Sequence, residues 1–547
     1  MPLILPRSVR RALVTPVALL LTITVVAAAC GSSKSTTQAT IAPASGADTS
    51  HLPTDGTPKD GGSLAWGLEG ESDSLNPVTG RWALSGHMVG SAIFDSLAAL
   101  DADGKVQPVL AKSFDANADT TVWTINLKDG ITFQNGEPFD GAAVTKALNT
   151  YKTALITGAA FKVVDTVTQS GPMAVTVTLK QPMANFANIF VGQGGYMPAP
   201  AMLDNPFGGD HPIGTGPFTF QEWVKNDHVT VVKNTKYWQA GLPHLDQITF
   251  KPIESAQDRL AALLDGTVNA IDTVTPDSIR TIRENANLRY LEYGVGEEIH
   301  VPLNTLAPPF DNLAARQAVA YATNQPDYIA QIGAGVYTPA NGMFAPGQLG
   351  YTEDSGYPTF DLDKAKQLVA QYTQETGKPL AFTLLAQQDV EYAKSDQLLK
   401  TMWEAAGMQV TLQSKPQADQ IIAVVLGQYQ AADFRLFGQP DPDAEYYWWS
   451  SGTVAPPGGV GLNMARFANA ETDKALNEGR ASNDQATRDQ AYQTFEKAWN
   501  ANVPDIFLAR ADWLIASTPN VHGYAAGASG TSQTLGPKTW IADLWIG

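Results

Sequence analysis

The stretch Gly214-Thr215-Gly216-Pro217-Phe218 decides how the rest of the chain is read. Two glycines around one threonine permit a tight backbone path that side chains would obstruct. Pro217 then fixes the direction in which the chain leaves. Downstream, His228 to Lys233 and Gln247 to Pro252 alternate as strands do, and Ala256 to Leu264 has helical spacing and stops at Asp265-Gly266. Upstream, Thr121 to Leu127 alternates, turns at Lys128-Asp129-Gly130, resumes at Ile131 to Phe133 and turns again at Asn135-Gly136. Gly141 to Thr153 reads as a helix with Ala143, Ala147 and Tyr151 on one side, and Val175 to Leu179 as a strand. Ser63 to Leu68 is a first strand. Leu313 to Ala322, Leu362 to Thr373, Asp396 to Ala406 and Gln485 to Ala501 are helices, with strands at Phe382 to Leu385, Gln409 to Leu412 and Asp505 to Leu508. No internal repeat is present. The mixture indicates an α/β chain.

With 547 residues the chain exceeds one hydrophobic core, which implies two or three lobes. The net charge of −18 disfavours nucleic acid, and it makes an anionic lipid surface repulsive unless an anchor is supplied. Cys30 is the only cysteine, so disulfides within the chain and cysteine metal clusters are excluded. The seven histidines show no metal-binding spacing. Neither a Gly-x-Ser-x-Gly elbow nor a Ser-x-x-Lys frame occurs, which disfavours a serine hydrolase.

Residues 1–29 read as a signal peptide. Arg7, Arg10 and Arg11 precede an apolar run, and Ala27, Ala28 and Ala29 lead into Cys30. Small residues before a cysteine are what a lipoprotein signal peptidase requires, so Cys30 is the expected lipid attachment site. Ala27 stands where such boxes usually carry leucine. Residues 30–60, rich in Ser, Thr, Ala, Pro and Gly, read as a flexible tether, with order beginning near Gly61. The expected location is extracytoplasmic, on the bacterial cell membrane.

Taken together the motifs resemble family 5 of the extracytoplasmic solute-binding proteins of ABC importers, the oligopeptide, dipeptide and nickel type. The resemblance runs from Gly61 to Tyr524. It rests on Leu75-Asn76-Pro77 (Asn for the usual Asp), Pro108 to Phe114, and Phe133-Gln134-Asn135-Gly136-Glu137-Pro138-Phe139 with Val144. It continues through Gly214 to Phe218, Asn234 with Tyr237-Trp238, Leu264-Asp265-Gly266, Arg316 to Val319 and Asp441-Pro442-Asp443. Read residue by residue, most of these are turn and packing positions.

The resemblance implies a two-lobed periplasmic-binding-protein type II fold with an additional third lobe. Lobe I would comprise 61–90, 205–300 and 505–547, the extra lobe II 91–204, and lobe III 301–504. It implies a monomer that closes on a small solute, a peptide in the first instance, and meets permease and ATPase subunits without cofactor, metal or catalysis. Oligosaccharide or metal-chelate binding on the same fold, a secreted hydrolase and a structural envelope lipoprotein are the alternatives. The expected cleft residues are Glu69, Glu71 and Ser72 on one side and Phe437, Gly438, Asp441, Asp443, Tyr446, Trp448 and Trp449 on the other. Peptide-binding members usually carry an aspartate at the position of Gly438, where it pairs with the peptide's amino terminus. Here Asp433, Asp441 or Asp443 would have to replace it, or the solute would lack a free α-amino group.

Overall fold

The strand Ser63–Leu68 alternates as its sequence demands, and Leu64, Trp66 and Leu68 are all buried. It lies within an eight-stranded mixed sheet. The order is Phe434–Leu436, Arg289–Pro302, Asp505–Ser517, Ala270–Thr273, Ser63–Leu68, Gln247–Pro252, His228–Lys233, Phe218–Val224. Ser63–Leu68 runs parallel to both neighbours, with Trp66 opposite Phe250 on one side and Ala270 on the other. Parallel neighbours need a crossover, and the helix Ala256–Leu264 supplies it. Ser255 caps the helix by accepting from the Asp258 amide at 3.2 Å. Gly266, at φ +80°, turns the chain back. The Arg259 guanidinium is buried and donates to the carbonyls of Ile253, Glu254 and Asp272, tying helix to sheet.

The computed structural model describes residues 51–101, 105–205, 208–436, 441–524, 531–532 and 540–547. These belong to one compact unit. Cys30, Phe437 and Gly438 lie outside the described residues. A four-stranded antiparallel sheet, in the order Ala111–Ala116, Val122–Leu127, Ala174–Leu179, Val164–Gly171, packs under the helix Gly141–Thr153. Asp140 caps that helix through the Ala142 and Ala143 amides. A third, parallel sheet holds Ala381–Gln387 between Gln409–Lys415 and Ala431–Ala432, with the helix Val390–Ala405 against it. Among the described residues no helix is long and apolar enough to cross a membrane.

Several elements differ from the sequence reading. The strand expected at Asp505 to Leu508 runs on to Ser517. Arg510 within it looks like an interruption, but it is buried and pairs with Glu298 of the adjacent strand at 3.0 Å. The helix expected from Asp396 begins at Val390, where Asp389 caps it by accepting from the Glu391 amide. The expected tether also makes contact before Gly61. His51 bridges to Tyr290, and Asp55 forms an ion pair with buried Arg289 and lies 2.8 Å from His522. A buried guanidinium without a counter-charge or hydrogen-bond acceptors is costly, and this stretch provides both a carboxylate and the Pro53 carbonyl.

The opening motif has a structural explanation. A Cβ on Gly214 would lie 2.2 Å from the Ile93 carbonyl oxygen, and one on Gly216 would lie 2.5 Å from the Ile93 carbonyl carbon. Only glycine lets this backbone pass the end of the helix Leu84–Ile93. The Gln134 side-chain amide donates to the carbonyls of Ile93, Gly216 and Phe218 and accepts from the Gly214 amide. Asp95 gathers the remaining motif residues: Thr215, Tyr237 and Trp238 all donate to its carboxylate, at 3.0, 2.9 and 2.8 Å.

Candidate functional site

The helix Leu84–Ile93 is buried along its whole length. Trp82 lies in the furrow left by Gly86 and Gly90, where an added Cβ would come within 2.6 and 2.5 Å of its ring. The Trp82 indole N–H donates to the Ser74 carbonyl at 2.7 Å. The exposed remainder of that ring forms part of the wall of a cavity of about 390 Å³. Three stretches of chain enclose it: residues 69–87, residues 156–194, and residues from 387 to 480. The wall is largely apolar and aromatic, with Trp82, Tyr392, Tyr446, Tyr447 and Trp448 prominent and a few charged groups between them. A volume in the range of small-molecule sites, with convergent polar groups on an apolar wall, is the form a ligand cavity takes.

One charged group joins two of the stretches. Arg435 lies 3.0 Å from Glu69 and 3.6 Å from Glu297, and its guanidinium stands over the Trp513 ring. Burial works against the arginine's charge, but Glu69, Tyr392 and Glu297 hold it more firmly protonated than usual. Burial pushes Glu297 up to about 8 against the opposing pull of Arg435 and the Trp513 indole N–H. His87, on the helix behind Trp82, is drawn down to about 4 by burial and is neutral at pH 7.

A second group surrounds Asp443. This buried carboxylate accepts from Arg480 Nε at 2.6 Å, and its Oδ2 has no hydrogen-bond partner among the described residues. Burial raises its affinity for a proton, with Arg480 opposing. Arg480 also lies over the Tyr446 ring, 3.4 Å from its centroid.

The residues expected at the cleft therefore separate. Glu69, Asp443, Tyr446 and Trp448 line the cavity. Glu71 does not: it accepts from the Trp223 indole at 2.7 Å and the Asn226 amide at 2.9 Å, holding a hairpin. Ser72 packs against Gly86, whose added Cβ would lie 2.7 Å from the hydroxyl. Asp441 is committed to Arg488 at 2.6 Å and Asn185 at 2.7 Å. Trp449 is 1% exposed and packs against Phe344 and Phe495. The sequence reading missed Arg81, Lys162, Lys180, Arg435 and Arg480, all of which line the cavity. For Arg435 a signal existed, because one arginine within the apolar run Phe434-Arg435-Leu436 must find a buried partner. Among the described residues no group of acidic, histidine or cysteine side chains is placed to hold a metal.

A family model described as bacterial extracellular solute-binding proteins, family 5, middle region, matches residues 105–456. The glutathione-binding protein GsiB of Shigella boydii is 28% identical over 481 residues, covering 82% of this chain and 89% of that protein. Among solved structures, the periplasmic binding protein AgaA of A. tumefaciens R10 in complex with agropinic acid superimposes with a TM-score of 0.79 at 24% identity. The match covers 89% of this chain and 99% of that one. The oligopeptide-binding protein AppA of Bacillus subtilis, in complex with a nonapeptide, also gives 0.79, at 21% identity over 90% of this chain and all of that one (100%). At these identities the structural matches speak for the fold.

Proposed function

Because the chain belongs to family 5 of the bacterial extracellular solute-binding proteins, we propose that it captures a peptide-like solute in this cavity and passes it to the permease and ATPase of an ABC importer. The observation that carries the reading is the largely apolar cavity of about 390 Å³, bridged by the Glu69–Arg435 pair. A glutathione-binding relative and a peptide-bound fold neighbour support a solute with peptide character. Binding needs no covalent step. Solute contacts with both sides of the cavity would stabilise the closed arrangement, which the importer would then recognise.

The missing carboxylate at Gly438 has a substitute in Asp443. Asp443 lines the cavity and its buried Oδ2 has no partner among the described residues, so a small side-chain movement would let an α-ammonium group supply the missing donor. Asp441 is already paired, so it is the weaker candidate. The lobes would follow the expected division, with residues 61–90, 205–300 and 505–547 in the first, 91–204 in the extra lobe and 301–504 in the other. Cys30 would carry the lipid that holds the protein outside the cell membrane.

Native mass spectrometry of the chain from His51 onward, with and without mixed peptides, tests the solute. A bound mass that fragments into amino acids and is displaced by synthetic peptides supports the reading; indifference to peptides alongside a shift with an oligosaccharide or metal chelate ends it. Growth with a clickable fatty acid tests the anchor: label must appear on the wild type and vanish in Cys30→Ala.

A further inference from the structure

The chain as a whole carries −18, yet the cavity has the opposite balance. Five basic side chains reach its wall against two acidic ones, Glu69 and Asp443. Three of the five are already neutralised. Arg435 has Glu69 and Glu297, Arg480 has Asp443, and Arg81 has Asp73 at 2.6 Å. Among the described residues Lys162 and Lys180 hydrogen-bond only to backbone. Lys180 Nζ donates to the Lys162 carbonyl at 2.8 Å, and Lys162 Nζ donates to the Gly452 carbonyl at 3.0 Å. The second of these bonds links the segment around Lys162 to the far side of the cavity. Both ammonium groups thus stand at the exposed rim, and among the described residues neither is paired with a carboxylate.

We infer that the cavity selects solutes of net negative charge, whose carboxylates meet Lys162 and Lys180 while any ammonium group meets Asp443. The inference rests on the proposal that this cavity is the binding site, and it adds the charge class of the solute. A solute carboxylate that reaches either lysine gains a charge-assisted contact. A basic solute meets uncompensated like charge at the same place. The acidic outer surface would slow the approach of an anion, so selectivity of this kind appears in retention at equilibrium and not in the rate of encounter.

The test is calorimetry with triglutamate, trialanine and trilysine at low and high salt, on the wild type and on the double variant K162Q/K180Q. Exposed ion pairs are individually weak, so the expected preference for triglutamate over trialanine is about tenfold at low salt. It should shrink at high salt and disappear in the double variant. Trilysine binding as tightly as triglutamate, or a preference that survives both substitutions, overturns the inference. Should no tripeptide bind while agropinic acid does, and K162Q/K180Q weakens it, the charge selection stands and the peptide assignment alone falls. Binding of a neutral oligosaccharide that is indifferent to salt and to both lysines overturns the charge selection and leaves the cavity as a binding site.

Discussion

Arg435→Met removes the cation that two carboxylates share, and the structure sets both the size and the pH dependence of the effect. Glu297 is fully buried, Glu69 is 10% exposed and Arg435 itself is 15% exposed. Deleting one member of a buried pair leaves uncompensated charge and costs about 3–5 kcal/mol. For a unit of this length unfolding together, that is a fall in melting temperature of about 3–5 °C. The sign of the pH dependence follows from Glu297, whose folded value is about 8 against an ordinary 4.5. Between those values the folded chain keeps a proton that the unfolded chain has lost, so stability falls as pH rises through the window. Without Arg435 the pull that lowers Glu297 is gone, so its proton is held to still higher pH. The variant's deficit should then be largest in mild alkali and smallest in mild acid, where Glu297 is neutral in both proteins. Adding Glu297→Gln should recover part of the loss at alkaline pH. Thermal scans across the pH range read all of this. A deficit independent of pH, or one that grows on acidification, would refute the assignment of Arg435 as the counter-charge of Glu297.

Three further outcomes follow from named contacts. Asp443→Asn should weaken binding of peptides with a free amino terminus by about tenfold or more while leaving N-acetylated peptides unaffected, as read by calorimetry. Because burial draws His87 down to about 4 from 6.5, the unfolded chain takes up a proton first on acidification. Stability is therefore lost as pH falls from 6.5 towards 4, and His87→Leu should flatten that limb of the melting profile. Gly216→Ala places a methyl group against the Ile93 backbone, 2.5 Å from its carbonyl carbon. It should cost about 1–3 kcal/mol in denaturant unfolding, whereas Gly136→Ala meets no neighbouring atom and pays only for its φ of +89°.

Strands with one apolar face could be read from the sequence. Ser63–Leu68, His228–Lys233 and Gln247–Pro252 stand where alternation puts them. Arg289–Pro302 and the second half of Asp505–Ser517 could not, because both bury polar side chains that pair across the sheet: Glu298 with Arg510, and His300 with Asp505. Pairing between residues more than 200 positions apart leaves no local pattern. The helix Leu84–Ile93 was equally hidden. All ten of its residues are buried, so it lacks the amphipathic stripe by which a surface helix declares itself. In the cavity, Trp448 and Trp449 looked equivalent in sequence. On the short helix Tyr446–Trp449 adjacent side chains diverge by about 100°, so one ring reaches the cavity and the other enters the core.

The same separation explains why the motifs identify the fold and are silent on the solute. Gly214, Gly216, Gln134, Thr215, Tyr237 and Trp238 spend their chemistry on Ile93 and Asp95, where close backbone approach and buried hydrogen bonds leave little freedom. None of the six except through Ile93's helix approaches the cavity wall, which is built from Arg81, Lys162, Lys180, Arg435, Asp443 and Arg480. Of these, the arginines are balanced by fixed carboxylates and the lysines are not. Exchanging Lys162 or Lys180 leaves no buried charge unpaired, whereas exchanging Arg435 strands the Glu69 carboxylate and removes the counter-charge of Glu297. If the cavity is the binding site as proposed, solute preference can thus change at the rim at small cost to the frame, because the lysines there are the charged groups least tied to the fold.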